Sequence, residues 1–186
     1  MYTIDPSTKL IVEYGELLYK ANFQYWVNNV VFTPRWWIFL GLLVVPWIAW
    51  YSLVDKKRIV EILVYGALMS GIILLIDEAG SELTLWTYPV KITPLFPHLT
   101  PLNYSLAPII YMALYQYFPK WKNFIFADVI TSTVLTLILL PLATLWSFLI
   151  LLKWKYVYST CIFIIAALIS KWFIELVNTI ENKSTA

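Results

Sequence analysis

Acidic side chains gather at one place in this sequence of 186 residues, next to aromatic residues and the single histidine. Carboxylates near a histidine can form an acid–base pair, a metal site or a vestibule that attracts cations. A solvated acidic loop is the alternative interpretation, because no spacing in this segment is diagnostic of one chemistry. The candidate ligand-binding residues of this segment are Asp77, Glu78, Glu82, Trp86, Tyr88 and His98.

A further acid, Asp128, lies inside an apolar stretch that is long enough to cross a membrane. Ionisable side chains within a membrane span are costly and are therefore functional candidates. Asp128 could be an ion or proton ligand that faces the interior of a helical bundle. We favour the simpler interpretation, an interfacial acid paired with Lys120 or Lys122, because the start of a helix lies near the lipid headgroups.

Two tyrosines complete the candidate ligand-binding set. Tyr111 and Tyr115, with Tyr104, recur at offsets that place them on one helical face. They could line a polar cavity, or they could make ordinary hydrogen bonds between helices. No catalytic residue can be named, and we expect no metal site and no cofactor, because the chain has one His and one Cys.

Two ion pairs are expected near the ends of helices. Glu61 follows Lys57 and Arg58 at helical spacing and could pair with either, and Glu175 follows Lys171 by four residues. Side chains three or four residues apart are neighbours on a helix, so opposite charges there attract. We predict that both pairs are structural and lie at the membrane interface.

The composition excludes a soluble globular domain. Apolar residues make up 61% of the chain and charged residues 13%, with a mean hydropathy of +0.74. Soluble domains are roughly 45–50% apolar and about 25% charged. The net charge of +2 gives no reason to expect a nucleic-acid partner. The expected partner is the lipid bilayer, with a second copy of the chain or another membrane protein as a further possibility.

The pattern predicts an all-α fold, a polytopic transmembrane bundle of about five spans preceded by an amphipathic interfacial helix. Residues 1–35 hold the interfacial helix, at about 7–32, residues 36–177 hold the bundle, and residues 178–186 form a polar tail. Prolines interrupt residues 77–103, which we interpret as an apolar cap on the bundle or as a shallow re-entrant segment shielded by protein. Residues 142–152 continue a long kinked helix or form an interfacial piece. The predicted spans are 36–54, 59–76, 104–118, 123–140 and 156–177.

Lys56, Lys57, Arg58, Lys120 and Lys122 would share one side of the membrane in this arrangement. Cytoplasmic loops are enriched in Lys and Arg, so we expect the N-terminus outside a cell membrane and the C-terminus in the cytoplasm. Lys153 and Lys155 fall on the other side and weaken this bias.

Several short segments between residues 76 and 156 resemble those of a family of small multi-pass membrane proteins from spore-forming Bacillus and Clostridium relatives. They include Leu85-Trp86-Thr87-Tyr88-Pro89, Ala107-Pro108-Ile109-Ile110-Tyr111-Met112 and Trp154-Lys155-Tyr156. The resemblance implies a membrane bundle and brings no assigned activity.

Three functions remain open at this point. The first is a non-enzymatic subunit or scaffold of the bacterial cytoplasmic membrane. The second is a small carrier or binding protein for a cation or an amphipathic ligand, which would use the acidic mouth of the bundle. The third is a membrane enzyme that acts on a lipid or isoprenoid. Its candidate acid–base groups are the carboxylates of the cap, but no known nucleophile or metal motif accompanies them.

Overall fold

A computed structural model describes residues 5–95 and 99–184, and nearly all of the regular structure within them is helical. The elements follow one another in this order: α1 Pro6–Asn29, α2 Pro34–Leu53, α3 Ile59–Glu82, β1 Trp86–Thr87, α4 Ala107–Tyr117, α5 Trp121–Val134, α6 Leu140–Leu145, β2 Ile150–Leu151 and α7 Tyr156–Ser184. A 3₁₀ turn, Lys56–Arg58, precedes α3. The all-α prediction is therefore confirmed.

Two π-helical segments interrupt the regular helices. Leu102–Leu106 leads directly into α4, and Leu135–Leu139 joins α5 to α6 in one continuous helix. A π-helical turn takes in an extra residue and rotates the side chains that precede it. This rotation explains why Tyr104 is 42% exposed while Tyr111 and Tyr115 are buried, although the sequence predicts a common face.

Within the described residues, four helical stretches are long and apolar enough to cross a membrane: Pro34–Leu53, Lys56–Glu82, Trp121–Leu145 and Tyr156–Ile180. Four of the five predicted spans therefore correspond to such helices. The predicted span at 104–118 is not among them, because polar side chains and prolines lower the hydropathy of this stretch. The N-terminal segment is helical, with Asp5 as its capping residue, and none of its residues is buried.

The helices of the bundle run alternately in opposite directions, as their contacts show. Asp77 and Asn103 meet at one end, whereas Glu61 and Tyr115 meet at the other. Helices α3 and α4 approach closely at Gly66, where a Cβ atom would lie 2.5 Å from the sulfur of Met112. The absence of a side chain at Gly66 leaves room for the Met112 side chain between the two helices.

Two helices end in the same manner on the Asp77 side. Thr84 and Ser147 both adopt positive φ angles, and the following amides, of Leu85 and Phe148, bond to carbonyls five residues back. This hydrogen-bond pattern terminates a helix by satisfying its last carbonyl groups. The chain then enters β1 after α3 and β2 after α6, and the two strands pair in antiparallel register.

This arrangement differs from the predicted boundaries in two ways. Helix α3 continues to Glu82, six residues beyond the predicted end of the second span, so the acidic cluster is helical rather than irregular. The long apolar run is helical as far as Leu145, and then Ile150–Leu151 pairs with the cap as a strand. Residues 142–152 therefore belong partly to the long helix and partly to a two-stranded ribbon.

Candidate functional site: two buried carboxylates

Asp77 lies in the last turns of α3, 5% exposed, where hydrogen-bond donors from other segments converge on its carboxylate. Trp86 donates its indole N–H to Oδ1 at 2.9 Å, and the Tyr88 hydroxyl donates to the same oxygen. Asn103 donates from Nδ2 to Oδ2 at 2.6 Å. A carboxylate accepts hydrogen bonds without donating, so this set of donors is matched to its charged form.

The local fold explains how these donors reach Asp77. The turn that ends α3 folds the chain back, so that β1 carries Trp86 over the helix it has just left. The ring of Trp86 rests on Gly80, one turn after Asp77 in α3, where a Cβ atom would lie 2.1 Å from the ring. The ribbon holds Trp86 opposite Leu151, and the π-helical segment before α4 contributes Asn103.

The charge of Asp77 also acts on Tyr88, whose side chain is buried in the cap. Burial first, and the neighbouring carboxylate of Asp77 second, raise the pKa of the Tyr88 phenol well above its ordinary range. Both causes disfavour a phenolate, because its charge would be desolvated and close to another negative charge. Tyr88 therefore remains a hydrogen-bond donor to Asp77 over a wide range of pH.

A cavity of about 60 Å³ adjoins the Asp77 carboxylate beneath the ribbon. Helices α3, α5–α6 and α7 provide mostly apolar walls, including Ile73, Leu140, Ile162 and Phe163. Polar atoms come from Asp77, Asn103 and Ser159, and the aromatic walls from Trp86, Tyr88 and Trp154. An apolar cavity with a few convergent polar groups is the usual form of a small-molecule site.

The second buried carboxylate, Asp128, lies inside the bundle with no exposed surface. Ser132, one turn later in α5, donates to its Oδ1 at 3.0 Å, and the Tyr111 hydroxyl lies 2.5 Å from Ser132 Oγ. Its other oxygen, Oδ2, has no hydrogen-bond partner within the part of the chain that the structure describes. The predicted pairing with Lys120 or Lys122 is wrong, because Asp128 faces the bundle interior and these lysines precede the helix or lie in its first turn.

Hydroxyl groups continue beyond Asp128 towards the Asp77 end of the bundle. Thr136 is fully buried in the π-helical segment, and its Oγ1 lies 2.6 Å from that of Thr160 in α7. Both π-helical segments therefore carry buried polar side chains, Asn103 in one and Thr136 in the other. Such segments are frequent at functional sites because they redirect side chains that a regular helix would place elsewhere.

The opposite end of the bundle holds a third polar cluster. The guanidinium of Arg58 makes two 3.0 Å hydrogen bonds to Glu61, which also accepts from the Tyr115 hydroxyl. Lys171 is 1% exposed and donates to the Pro119 carbonyl at 2.9 Å.

Both predicted ion pairs are present at this end, since Lys171 also lies 3.4 Å from Glu175. Three aromatic rings surround the Lys171 ammonium at 4.8–5.4 Å from their centroids, those of Tyr115, Trp121 and Phe124. Lys171 is thus buried among aromatic rings rather than extended towards the membrane surface.

The structure thus separates the predicted site residues. Asp77, Trp86 and Tyr88 form one centre, Asp128 and Tyr111 form another, and Tyr115 belongs to the third cluster. Glu78 and Glu82 are exposed on the outer side of α3. His98 lies outside the described residues.

Sequence reasoning left several contributing residues out of the candidate set. Asn103 is 26 residues from Asp77 in the sequence, so no local pattern connects the two side chains. Gly80 and Ser132 carry no motif, and only helical spacing connects Ser132 with Asp128. No group of three or more His, Cys, Asp or Glu side chains among the described residues is placed to hold a metal ion.

Comparison of the chain with protein-family models, with curated proteins and with solved structures finds no match.

Proposed function

We propose that this chain is a small membrane carrier that binds a proton inside its helical bundle and passes it across the membrane. The observation that carries the proposal is the position of Asp128, a fully buried carboxyl group with one oxygen lacking a partner among the described residues. Ionisable groups inside membrane spans characteristically mark ion pathways and proton relays.

The cost of burial supports a proton-binding role for Asp128. A buried carboxylate needs a compensating charge or several hydrogen bonds. Without them, the desolvation of its charge costs about several kcal/mol. Among the described residues, only Ser132 is placed to donate a hydrogen bond to Asp128. A proton removes the charge on binding and restores it on release, and this step requires neither an oxidant nor a second reactant.

The oxygen atoms around Asp128 favour a proton over a metal cation. The carboxyl group and the Ser132 hydroxyl provide three oxygens, with the Tyr111 hydroxyl behind them. Hard cations such as Ca²⁺ take about six to eight oxygen ligands. A proton needs one, and hydroxyl groups can hand it on because they both donate and accept.

Asp128 also lies at a suitable depth for a carrier site. It follows the start of α5 by about 10 Å along the helix, at 1.5 Å per residue. Polar groups occur on either side of it, with Thr136 towards Asp77 and with Tyr115 and Glu61 towards the other end. A proton that enters at one end would therefore meet buried polar side chains before and after Asp128.

A carrier needs a path through the membrane, and we propose five crossings with α1 lying on the membrane surface. The crossing that we add to the four long apolar helices is the stretch that ends in α4. This stretch runs beside α3 from Asn103, near Asp77, to Tyr115, near Glu61. None of the apolar side chains of α1 is buried. The indole N–H of Trp26, near the end of α1, donates a hydrogen bond to the Lys91 carbonyl in the cap.

The same arrangement predicts which end faces the cytoplasm. Lys57, Lys122 and the C-terminus would lie on the cytoplasmic side of a bacterial cell membrane, because loops rich in Lys and Arg are retained on that side. The test uses two variants in a Cys161→Ser background, Lys122→Cys and Thr84→Cys. A membrane-impermeant maleimide added to intact cells should label the Thr84→Cys variant and should not label the Lys122→Cys variant. The reverse labelling, or labelling of both, would contradict this topology.

Proton flux in reconstituted vesicles tests the proposed function. A potassium diffusion potential set with valinomycin should drive proton entry into vesicles holding the wild-type protein, reported by a trapped pH-sensitive dye. Asp128→Asn should abolish this entry, and Asp55→Asn should retain it, because Asp55 is an exposed turn residue. Equal entry into wild-type, Asp128→Asn and protein-free vesicles would overturn the proposal.

A second candidate, the membrane subunit or scaffold, rests on a different observation. Helix α1 is 24 residues long and buries none of them, which leaves Leu10, Ile11 and Leu17 exposed along it. Such a surface suits attachment to a membrane or to another membrane protein. This role predicts that removal of residues 6–29 prevents a partner from co-purifying and leaves proton entry unchanged.

A further inference from the structure

We infer that the pocket between the end of α1 and the cap binds the headgroup of an anionic phospholipid. Lys91 of the cap provides its positive charge, and Asn22, Tyr25 and Thr87 provide neutral polar groups. The pocket is separate from the proton site at Asp128, which lies inside the bundle. Lipid binding in this pocket therefore neither requires nor establishes proton passage.

The ammonium group of Lys91 is partly buried and has no counter-charge among the described residues. Burial lowers the pKa of this lysine, and no neighbouring charge contributes to the shift. Within the part of the chain that the structure describes, no carboxylate or carbonyl oxygen accepts a hydrogen bond from Lys91 Nζ. Removing an ammonium ion from water without compensation is costly. A bound anion would offset this cost by pairing with Lys91.

Two indole groups hold the backbone that carries Lys91. Trp26 of α1 donates its indole N–H to the Lys91 carbonyl at 3.0 Å, and Trp36 of α2 donates to the Ile92 carbonyl at 3.1 Å. Two consecutive residues of the cap are thus bonded to two different helices. The backbone of the site is therefore fixed before a ligand arrives, which reduces the entropy that binding would cost.

The other polar side chains of the pocket suit a ligand with a net negative charge. Asn22, Tyr25 and Thr87 each carry an N–H or O–H group that makes no hydrogen bond within the described residues. No acidic side chain lines the pocket in this part of the chain. A zwitterionic headgroup would bring an ammonium group close to that of Lys91, with no protein carboxylate to balance the two charges. A phosphodiester with hydroxyl groups meets only donors.

The level of the pocket in the structure favours a lipid over a free anion. Val30 lines the pocket, and four residues later Pro34 begins a helix that is long and apolar enough to cross a membrane. The pocket therefore lies where the chain enters the bilayer. Tyr25 and Trp26 also line it, and Tyr and Trp are enriched at the level of the lipid headgroups.

The size of the pocket agrees with a headgroup. Its volume is about 260 Å³. A single water requires roughly 10–15 Å³ on this kind of measure, so about twenty non-hydrogen atoms fit. Inorganic phosphate would fill only a small part of this space. The two glycerol units and the phosphate of phosphatidylglycerol come close to it in size, carry one negative charge and add hydroxyl groups.

Native mass spectrometry of the purified full-length protein in neutral detergent tests the inference. The probes are phosphatidylglycerol and phosphatidylcholine with the same acyl chains. Phosphatidylglycerol should bind about tenfold more tightly, since one charge-assisted hydrogen bond is worth roughly that factor. Excess inorganic phosphate should not displace it. Equal binding of the two lipids would overturn the assignment of an anionic ligand, and displacement by inorganic phosphate would overturn the assignment of a lipid.

Two pairs of variants locate the binding. Lys91→Gln should remove the preference for phosphatidylglycerol, whereas Lys9→Gln makes the same change near the exposed start of α1 and should keep it. Asn22→Trp places an indole ring in the pocket and should weaken binding about tenfold, whereas Asn28→Trp, on the exposed surface of α1, should not.

The comparison within each pair separates a site from general attraction between a basic surface and an anionic lipid. Equal losses in Lys91→Gln and Lys9→Gln would contradict the inference, and so would an unchanged preference in Lys91→Gln. If Lys91→Gln does not fold, the asparagine pair decides. Equal binding by Asn22→Trp and Asn28→Trp would then overturn the assignment of the pocket.

Discussion

The ring of Trp86 occupies the space in which a side chain at residue 80 would begin, since a Cβ atom on Gly80 would lie 2.1 Å from the Cζ2 and Cη2 atoms of Trp86. Atoms cannot approach that closely, so any side chain at this position must displace the indole. Because the indole N–H donates to Asp77, displacement also removes a hydrogen bond from the buried carboxylate. Gly80 is therefore required by the geometry of the candidate site.

Gly80→Ala should lower the free energy of unfolding by roughly 1–3 kcal/mol, the usual cost of forcing extra atoms into a packed site. Gly71→Ala provides the matched control, because the same helix has open space there and no atom lies within 4 Å. That control should change stability by less than about 1 kcal/mol, in the stabilising direction. Unfolding by SDS in mixed micelles measures both, and equal effects would show that Trp86 does not rest on Gly80.

Removal of the Asp77 carboxylate should be more damaging. Asp77→Ala leaves the Trp86, Tyr88 and Asn103 donors without their acceptor, and each unsatisfied buried group costs about 1–3 kcal/mol. We expect a loss of roughly 3 kcal/mol or more in the same unfolding measurement. Glu82→Ala, an exposed change in the last turn of the same helix, should cost less than about 0.5 kcal/mol. A comparable loss in both variants would contradict the hydrogen-bond arrangement at Asp77.

Tyr88 predicts a specific dependence of stability on pH. Its pKa is raised in the folded state, so the folded protein holds this proton more firmly than the unfolded chain does. The resulting stabilisation is complete below the ordinary tyrosine pKa of about 10 and declines as pH rises above it.

The stability difference between the wild type and Tyr88→Phe should therefore narrow by about 1.4 kcal/mol per pH unit above pH 10. Unfolding measured at several pH values isolates this contribution, because the other tyrosines are common to both proteins. A constant difference between the two proteins up to pH 11 would refute the assignment.

The ribbon between the two halves of the chain can be trapped covalently. Thr87 and Ile150 are directly opposite each other in the antiparallel pair. Opposed residues in such a ladder have Cα atoms about 4.5–5.5 Å apart, within the range that a disulfide spans. Thr87→Cys with Ile150→Cys, in a Cys161→Ser background, should form an intramolecular disulfide on mild oxidation, seen as a mass decrease of two hydrogens. Persistent free thiols in the double variant would show that the ribbon is absent.

Local patterns were sufficient to predict much of this fold. The apolar runs predicted the helices that are long enough to span a membrane, and helical spacing predicted the Arg58–Glu61 and Lys171–Glu175 pairs. Asp77 with Trp86 and Tyr88 was also predictable as a group, because a short turn joins the three residues.

The remaining features depend on contacts between distant segments. The ribbon uses two strands of two residues each, too short to show any alternation in the sequence. The π-helical segment at 102–106 turns Tyr104 away from the face that it would share with Tyr111 and Tyr115 in a regular helix. The sequence contains no pattern that predicts a π-helical turn at this place. Asp128 was placed at the interface because it lies near the start of a helix, but burial depends on the neighbouring helices, which enclose it completely.

Infrared difference spectroscopy of the purified protein in lipid tests the proton site at Asp128 most directly. A protonated carboxyl group has a C=O stretching band that a carboxylate lacks, so a pH step should produce a band that belongs to Asp128. The account predicts this band in the wild type and in Asp55→Asn, and its loss in Asp128→Asn. A pH-dependent carboxyl spectrum that is identical in the wild type and Asp128→Asn would show that Asp128 does not exchange a proton, and it would contradict the proposed carrier.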